Sequence, residues 1–139
     1  MQAEEQPRIV PLEAISSETG TLTYAEGENE IPFAIQRVFW LYNLAEAGVR
    51  AGHAYHLQEQ IIVAVSGSFE MHLHVDGRAM KMTLDRPDRG LYLPPRVWRE
   101  LHHPRPGSVA LIISSRRFDP EDYIRARAED AASTNKPVE

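Results

Sequence analysis

The chain contains no cysteine, which excludes a disulfide scaffold, a thiolate metal site and a cysteine nucleophile together. Long apolar runs are also missing. The longest, such as Ile61–Val65 and Val109–Ile113, are five residues. A membrane-spanning helix takes about 20 apolar residues and a secretory core about 7 or more, so neither is read here and a cytoplasmic location is expected. Lysine is scarce, two against thirteen arginines in the fifteen basic residues. The net charge of −5 speaks against a nucleic-acid surface. Arginine presents a planar fork that suits carboxylate and phosphate, so a few of the thirteen have the means to hold a phosphorylated ligand in an acidic protein. The rest, including Arg116-Arg117, read as solvated surface. Helical periodicity is nearly absent before residue 118, and no glycine-rich phosphate loop appears.

What is present is a succession of short strands. The 139 residues are 42% hydrophobic and 25% charged, which suits one domain with one core. Strand patterns fall at Thr21–Tyr24, Ile35–Tyr42, His53–Tyr55, Gln60–Val65, Phe69–Val75, Arg78–Leu84, Leu91–Leu93, Val97–His102 and Val109–Ser114, separated by turn residues. Asp76-Gly77 is the strongest hairpin signal, because both central residues of a two-residue turn must accept positive φ. An all-β sandwich or small barrel follows. One short C-terminal helix is expected from a cap at Asp119, Pro120 in its first turn and acidic Glu121 and Asp122 after it, running to about Asp130. Residues 1–130 are read as the single domain and 131–139 as a disordered tail.

The histidines come in three pairs, His53 with His56, His72 with His74, and His102 with His103. Residues two apart on a strand share a face. His72 and His74 therefore lie opposite the apolar set Phe69, Met71, Leu73 and Val75, toward solvent or a partner subunit. The stretch from His53 through Tyr55 to Glu59-Gln60 and Gly67 is similar to the cupin pattern of His-x-His, a spacer, Glu and a hairpin Gly. Tyr55 stands where the second imidazole belongs. That leaves His53 and Glu59 as two candidate ligands where a stable metal site takes three or four, so no metal or other cofactor is expected.

Across residues 8–127 the chain resembles the nucleotide-linked sugar 3,4-ketoisomerases, WxcM-like cupins that act on TDP-4-keto-6-deoxyglucose in deoxysugar biosynthesis. The resemblance is carried by Ile31–Val38, Gly52-His-Ala54, Glu59-Gln60, Leu84–Pro87, Gly90-Leu-Tyr92, Pro95–Trp98, Glu100, His102 and Asp122–Arg125. It implies a cupin jelly roll, a homodimer and metal-independent transfer of a proton between C3 and C4 through an enediol. His53 matches the family's first pocket histidine, and Tyr55 takes the second position as a catalytic proton relay. Arg37, Arg50, Glu59, Gln60, Trp98 and His102 are the candidate substrate-binding residues. Tyr55, Phe39-Trp40, Arg99 and Thr19 depart from family residues: a histidine, a tyrosine, a histidine and an arginine. These departures leave two alternatives open: a family member with an altered reaction or substrate, or a non-catalytic binding or assembly module.

Overall fold

The computed structural model describes residues 5–46 and 49–127, with the side chains of 49–51 outside the described set. The strands are β1 (Arg8–Pro11), β2 (Glu13–Ser17), β3 (Gly20–Tyr24), β4 (Arg37–Leu41), β5 (Val49–Tyr55), β6 (Gln60–Ser66), β7 (Phe69–Val75), β8 (Arg78–Leu84), β9 (Arg89–Leu93), β10 (Trp98–His102), β11 (Val109–Ser114) and β12 (Tyr123–Ile124). One sheet has the order β1-β9-β6-β11-β4 and the other β12-β5-β10-β7-β8, while β2 and β3 form a separate hairpin. The named strand pairs are all antiparallel. This is the jelly-roll β-sandwich the strand count calls for. No helix among the described residues is long and apolar enough to cross a membrane.

Local sequence explains the layers. Phe69, Met71, Leu73 and Val75 alternate along β7 and are buried, and the residues between them are half-exposed. They meet Ile62, Leu91, Leu93, Leu101 and Ile112 from both sheets in the central core. Strand β6 is different, because its continuous apolar run is buried on both faces, as a central strand covered on each side must be. Ile61 and Val63 point outward, where Val10, Ile31, Phe33 and Tyr92 cover them in a second core cluster. The β7–β8 hairpin turns at Asp76 (φ 49°) and Gly77 (φ 77°), the paired positive angles of a type I′ turn.

The C-terminal segment corrects the sequence expectation. Asp119 does cap a turn, its carboxylate accepting from the Glu121 N–H at 3.0 Å. However, the helix is a single 3₁₀ turn, Pro120–Asp122, and the chain then becomes β12 and pairs with β5 at Tyr123↔Tyr55 and Ile124↔Ala54. Pairing with the outer edge of β5 satisfies backbone groups there that a helix, bonded within itself, would leave unpaired. Residues 128–139, which hold the end of the expected helix and the tail, lie outside the described residues.

Candidate active site

A cavity opens into one end of the central core, lined by His53 of β5, Gln60 of β6, Arg99 of β10 and the apolar Phe39, Leu41 and Met71. His53 and Arg99 are direct cross-strand partners, so their side chains project to the same inner face. Tyr55, two residues beyond His53, shares that face but lies deeper and is completely buried. Its hydroxyl is 3.1 Å from His53 Nε2, and the two rings meet edge to face at 4.9 Å. The backbone behind it is fixed as well: the Arg96 N–H donates to the Tyr55 carbonyl at 2.7 Å.

The polar wall of the cavity is a connected set of hydrogen bonds. Arg99 is buried and donates from Nη1 to Gln60 Oε1 at 2.6 Å and from Nη2 to the Val97 carbonyl at 3.0 Å. The Gln60 amide donates in turn to Gln58 Oε1 at 2.9 Å and Ser114 Oγ at 3.0 Å. Arg37 reaches the same Gln58 oxygen at 3.4 Å and lies over the rings of Phe39 (4.7 Å) and Phe118 (5.6 Å). Two buried donors here, Arg37 Nε and Gln58 Nε2, find no acceptor among the described residues. A ligand oxygen at this point fits the general rule that buried donors are paired.

Two residues that pack or bond beside His53 are not legible in the sequence as its neighbours. Tyr123 packs on His53 at 5.3 Å and on Tyr55 at 4.7 Å; the helix expected there gave no reason to bring it to β5. Asp122 is buried and its carboxylate accepts from the N–H groups of Leu57 and Gln58 at 2.8 and 3.1 Å, pinning the loop that follows the His53 strand. Of the two acidic residues after Pro120, only Asp122 serves the loop.

Three of the candidate substrate-binding residues are elsewhere. The Glu59 carboxylate turns away from the cavity to the outer layer, accepting from the Tyr92 hydroxyl at 2.6 Å. Burial, and then the paired carboxylates of Glu5 and Glu59, raise the Tyr92 hydroxyl far above its ordinary pKa. Trp98 and His102 project from the outer face of β10, opposite Arg99 and Leu101. Trp98 donates to Glu100 Oε2 at 2.9 Å and borders a surface recess with His74, Arg96 and Arg127. His102 stacks on His72 at 3.6 Å with nearly parallel rings, 6° apart. Each imidazole is also 2.9 Å from a carboxylate, His72 from Glu70 and His102 from Glu100. Parallel stacked rings cannot aim their nitrogen lone pairs at one ion. Among the described residues no group of three or more His, Asp or Glu side chains is placed to hold a metal. The side chain of Arg50 lies outside the described residues.

An antiparallel jelly roll with a histidine lining its inner cavity defines the molecule as a protein of the cupin type. The comparison with known families is more specific. The family described as FdtA, WxcM-like, C-terminal, matches residues 5–135, and the chain belongs to it. The TDP-4-oxo-6-deoxy-alpha-D-glucose-3,4-oxoisomerase of Aneurinibacillus thermoaerophilus is 32% identical over 118 residues, 85% of each chain. Among solved structures, the sugar 3,4-ketoisomerase QdtA of Thermoanaerobacterium thermosaccharolyticum, in complex with TDP, superposes with a TM-score of 0.84 at 31% identity, covering 86% of this chain and 87% of that one. The WlaRB TDP-quinovose 3,4-ketoisomerase of Campylobacter jejuni gives 0.85 at 32% identity, covering 92% and 97%.

Proposed function

We propose that this chain is a 3,4-ketoisomerase of a TDP-linked 4-keto-6-deoxy sugar, with His53 as the group that carries the carbon-bound proton. The observation that carries the reading is His53 in the cavity lining, in a chain that matches ketoisomerases over most of its length. The hexose would enter the cavity, and the diphosphate would lie toward the buried donors Arg37 Nε and Gln58 Nε2. Neutral His53 takes the proton from C3, the C3–H electron pair forms the C3–C4 double bond, and the C4 carbonyl becomes an enediolate oxygen. The imidazolium then returns its proton to C4, O4 gains a proton, and O3 loses one to become the new carbonyl. The net change moves one hydrogen from C3 to C4 and one from O3 to O4. No redox partner is needed, and an acid–base group working near neutral pH suits both transfers.

The test is proton exchange in heavy water. TDP-4-keto-6-deoxyglucose incubated with the protein should give the 3-keto isomer, carrying deuterium at C4 in the product and at C3 in the recovered 4-keto sugar wherever the imidazolium exchanges with solvent before returning its proton. A sugar that is neither isomerised nor deuterated while TDP still binds would show instead a binding module that kept the pocket and lost the reaction, a reading favoured by the burial of Tyr55 in place of a second pocket imidazole.

The working unit in this reading is a homodimer. The β2–β3 hairpin carries Ile15 and Leu22 as a cross-strand pair, 56% and 58% exposed. An isolated two-stranded hairpin is marginal in water. Edge strand β4 likewise exposes Val38 and Trp40. Light scattering at micromolar concentration should give twice the chain mass, a monomer mass would refute the dimer, and Leu22→Glu should dissociate it.

A further inference from the structure

Phe118 is 61% exposed, yet it sits in the middle of an arc of stacked groups whose two ends both line the cavity. One end is Phe39. The Arg37 guanidinium carbon lies 4.7 Å from the centre of that ring and 5.6 Å from the centre of the Phe118 ring. Phe118 meets Tyr123 at 6.1 Å with the ring planes 63° apart. Tyr123 packs in turn at 5.3 Å on His53, which is the other end of the arc. Arg125 lies over the Tyr123 ring at 4.3 Å. Neither Arg37 nor Arg125 pairs with a carboxylate among the described residues. A guanidinium laid over an aromatic face keeps its in-plane N–H donors for an anion. An exposed phenylalanine does little for the fold, so this ring is placed where burial does not explain it.

We infer that Phe118 is the stacking face for the nucleobase of the substrate, with Arg37 and Arg125 flanking the diphosphate that joins base to sugar. The inference rests on the ketoisomerase reading, which puts the hexose in the cavity and the diphosphate toward Arg37. A base joined to that diphosphate through one ribose emerges beside Arg37. Of the two rings on Arg37, Phe39 is turned into the cavity lining and Phe118 is the one open to a ligand. Thymine is flat, and stacking it on the open face of Phe118 removes apolar surface of both rings from water. Stacking reads no hydrogen-bond pattern, so any base can use it. The face therefore separates nucleotide-linked sugars from sugar phosphates that carry no base.

Calorimetric titration with TDP and with inorganic pyrophosphate, which has the charge and no base, tests the assignment. Phe118→Leu keeps an apolar side chain and removes the ring. It should weaken TDP binding ~10-fold, within the range that base–aromatic stacking supplies, and leave pyrophosphate binding as it was. Phe118→Trp should keep or tighten TDP. In bound TDP the thymine H6 and methyl protons should shift upfield by NMR through the Phe118 ring current, and that shift should vanish in Phe118→Leu at saturating ligand. In turnover, Phe118→Leu should raise KM for TDP-4-keto-6-deoxyglucose and leave kcat nearly unchanged, as loss of uniform binding does. An unchanged TDP affinity in Phe118→Leu would overturn the inference, as would a wild type that binds no TDP. An equal loss for pyrophosphate would overturn it too, by marking Phe118 as a support for Arg37. So would a Phe118→Leu protein that light scattering finds dissociated, because the ring would then belong to the dimer interface. A wild type that binds TDP through Phe118 and isomerises nothing ends the ketoisomerase reading and leaves this one standing. A wild type that isomerises, beside a Phe118→Leu that binds TDP equally well, does the reverse.

Discussion

The two faces of β10 carry different chemistry on alternate residues. Arg99 and Leu101 point inward, one to the cavity beside His53 and the other to the core. Trp98, Glu100 and His102 point outward, into an array with His72, Glu70 and His74 from β7. The outer face holds more histidine and carboxylate than the inner one, and by composition alone it looks the more catalytic. It lacks enclosure. Its imidazoles are stacked on one another and tied to carboxylates at the surface, whereas the inner face sets one histidine beside a buried cation and a buried phenol. Seclusion from water, which strengthens each electrostatic contact, separates a site from a cluster.

Substitutions on the two faces should sharpen this contrast. The largest effect is expected from His53→Asn, which should lower isomerisation by ~10²–10⁴-fold, the usual worth of a general acid–base group; the thermal midpoint should stay near wild type, and an unfolded variant would make the loss uninformative about chemistry. Leu73→Ala, also inward and completely buried, should do the reverse. It should cost ~2–5 kcal/mol in urea unfolding and leave the chemistry of the folded fraction intact. On the outer side, Gly52→Ala would bring a methyl group within 2.5 Å of the Trp98 indole. The ring must shift, at a cost of ~1–3 kcal/mol for such overpacking, readable as a loss of indole fluorescence order and of stability. His102→Gln should leave turnover close to wild type, since its ring faces the outer array and not the cavity; a loss as large as that of His53→Asn would mean the outer array belongs to the site.

The smallest expected effect concerns acid stability. Burial works against ionisation of Glu100, but hydrogen bonds from Trp98 and His102 outweigh it and hold its carboxyl below the ordinary 4.5. A carboxyl lowered in the folded state stabilises the fold above its unfolded pKa, and that contribution disappears as pH falls through the folded value. Glu100→Gln should therefore flatten the fall in stability below about pH 4.5 by under ~1 kcal/mol, as partly exposed ion pairs do. An unchanged acid limb in urea titrations would remove Glu100 from that account.

Much of the fold was legible because its rules are local. Phe69–Val75 and Arg78–Leu84 appear as strands with the expected bounds, since period-two alternation and the Asp76-Gly77 turn both operate within a few residues. The helix expected after Asp119 gives way to one 3₁₀ turn and a strand, because cap and dipole signals carry nothing about an unpaired strand edge nearby. The site was legible in part. His53 and Tyr55 do share a face and Gln60 lines the cavity, while Arg37 reaches only Gln58, behind Gln60. Glu59, next to Gln60, goes to Tyr92 instead because the chain enters β6 with neighbouring side chains on opposite faces.

By itself the sequence determined the strand lengths, the hairpin, the faces on which alternate residues lie and the family to which the chain belongs. Each depends on side-chain type and short spacing, which the chain carries wherever it goes. Only the tertiary structure decided which face of β10 closes over a cavity, that β12 rather than a helix completes β5, and that Arg99 comes to rest over Tyr55. Those outcomes depend on register and sheet closure between segments tens of residues apart, and no local pattern contains the partner strand that sets them.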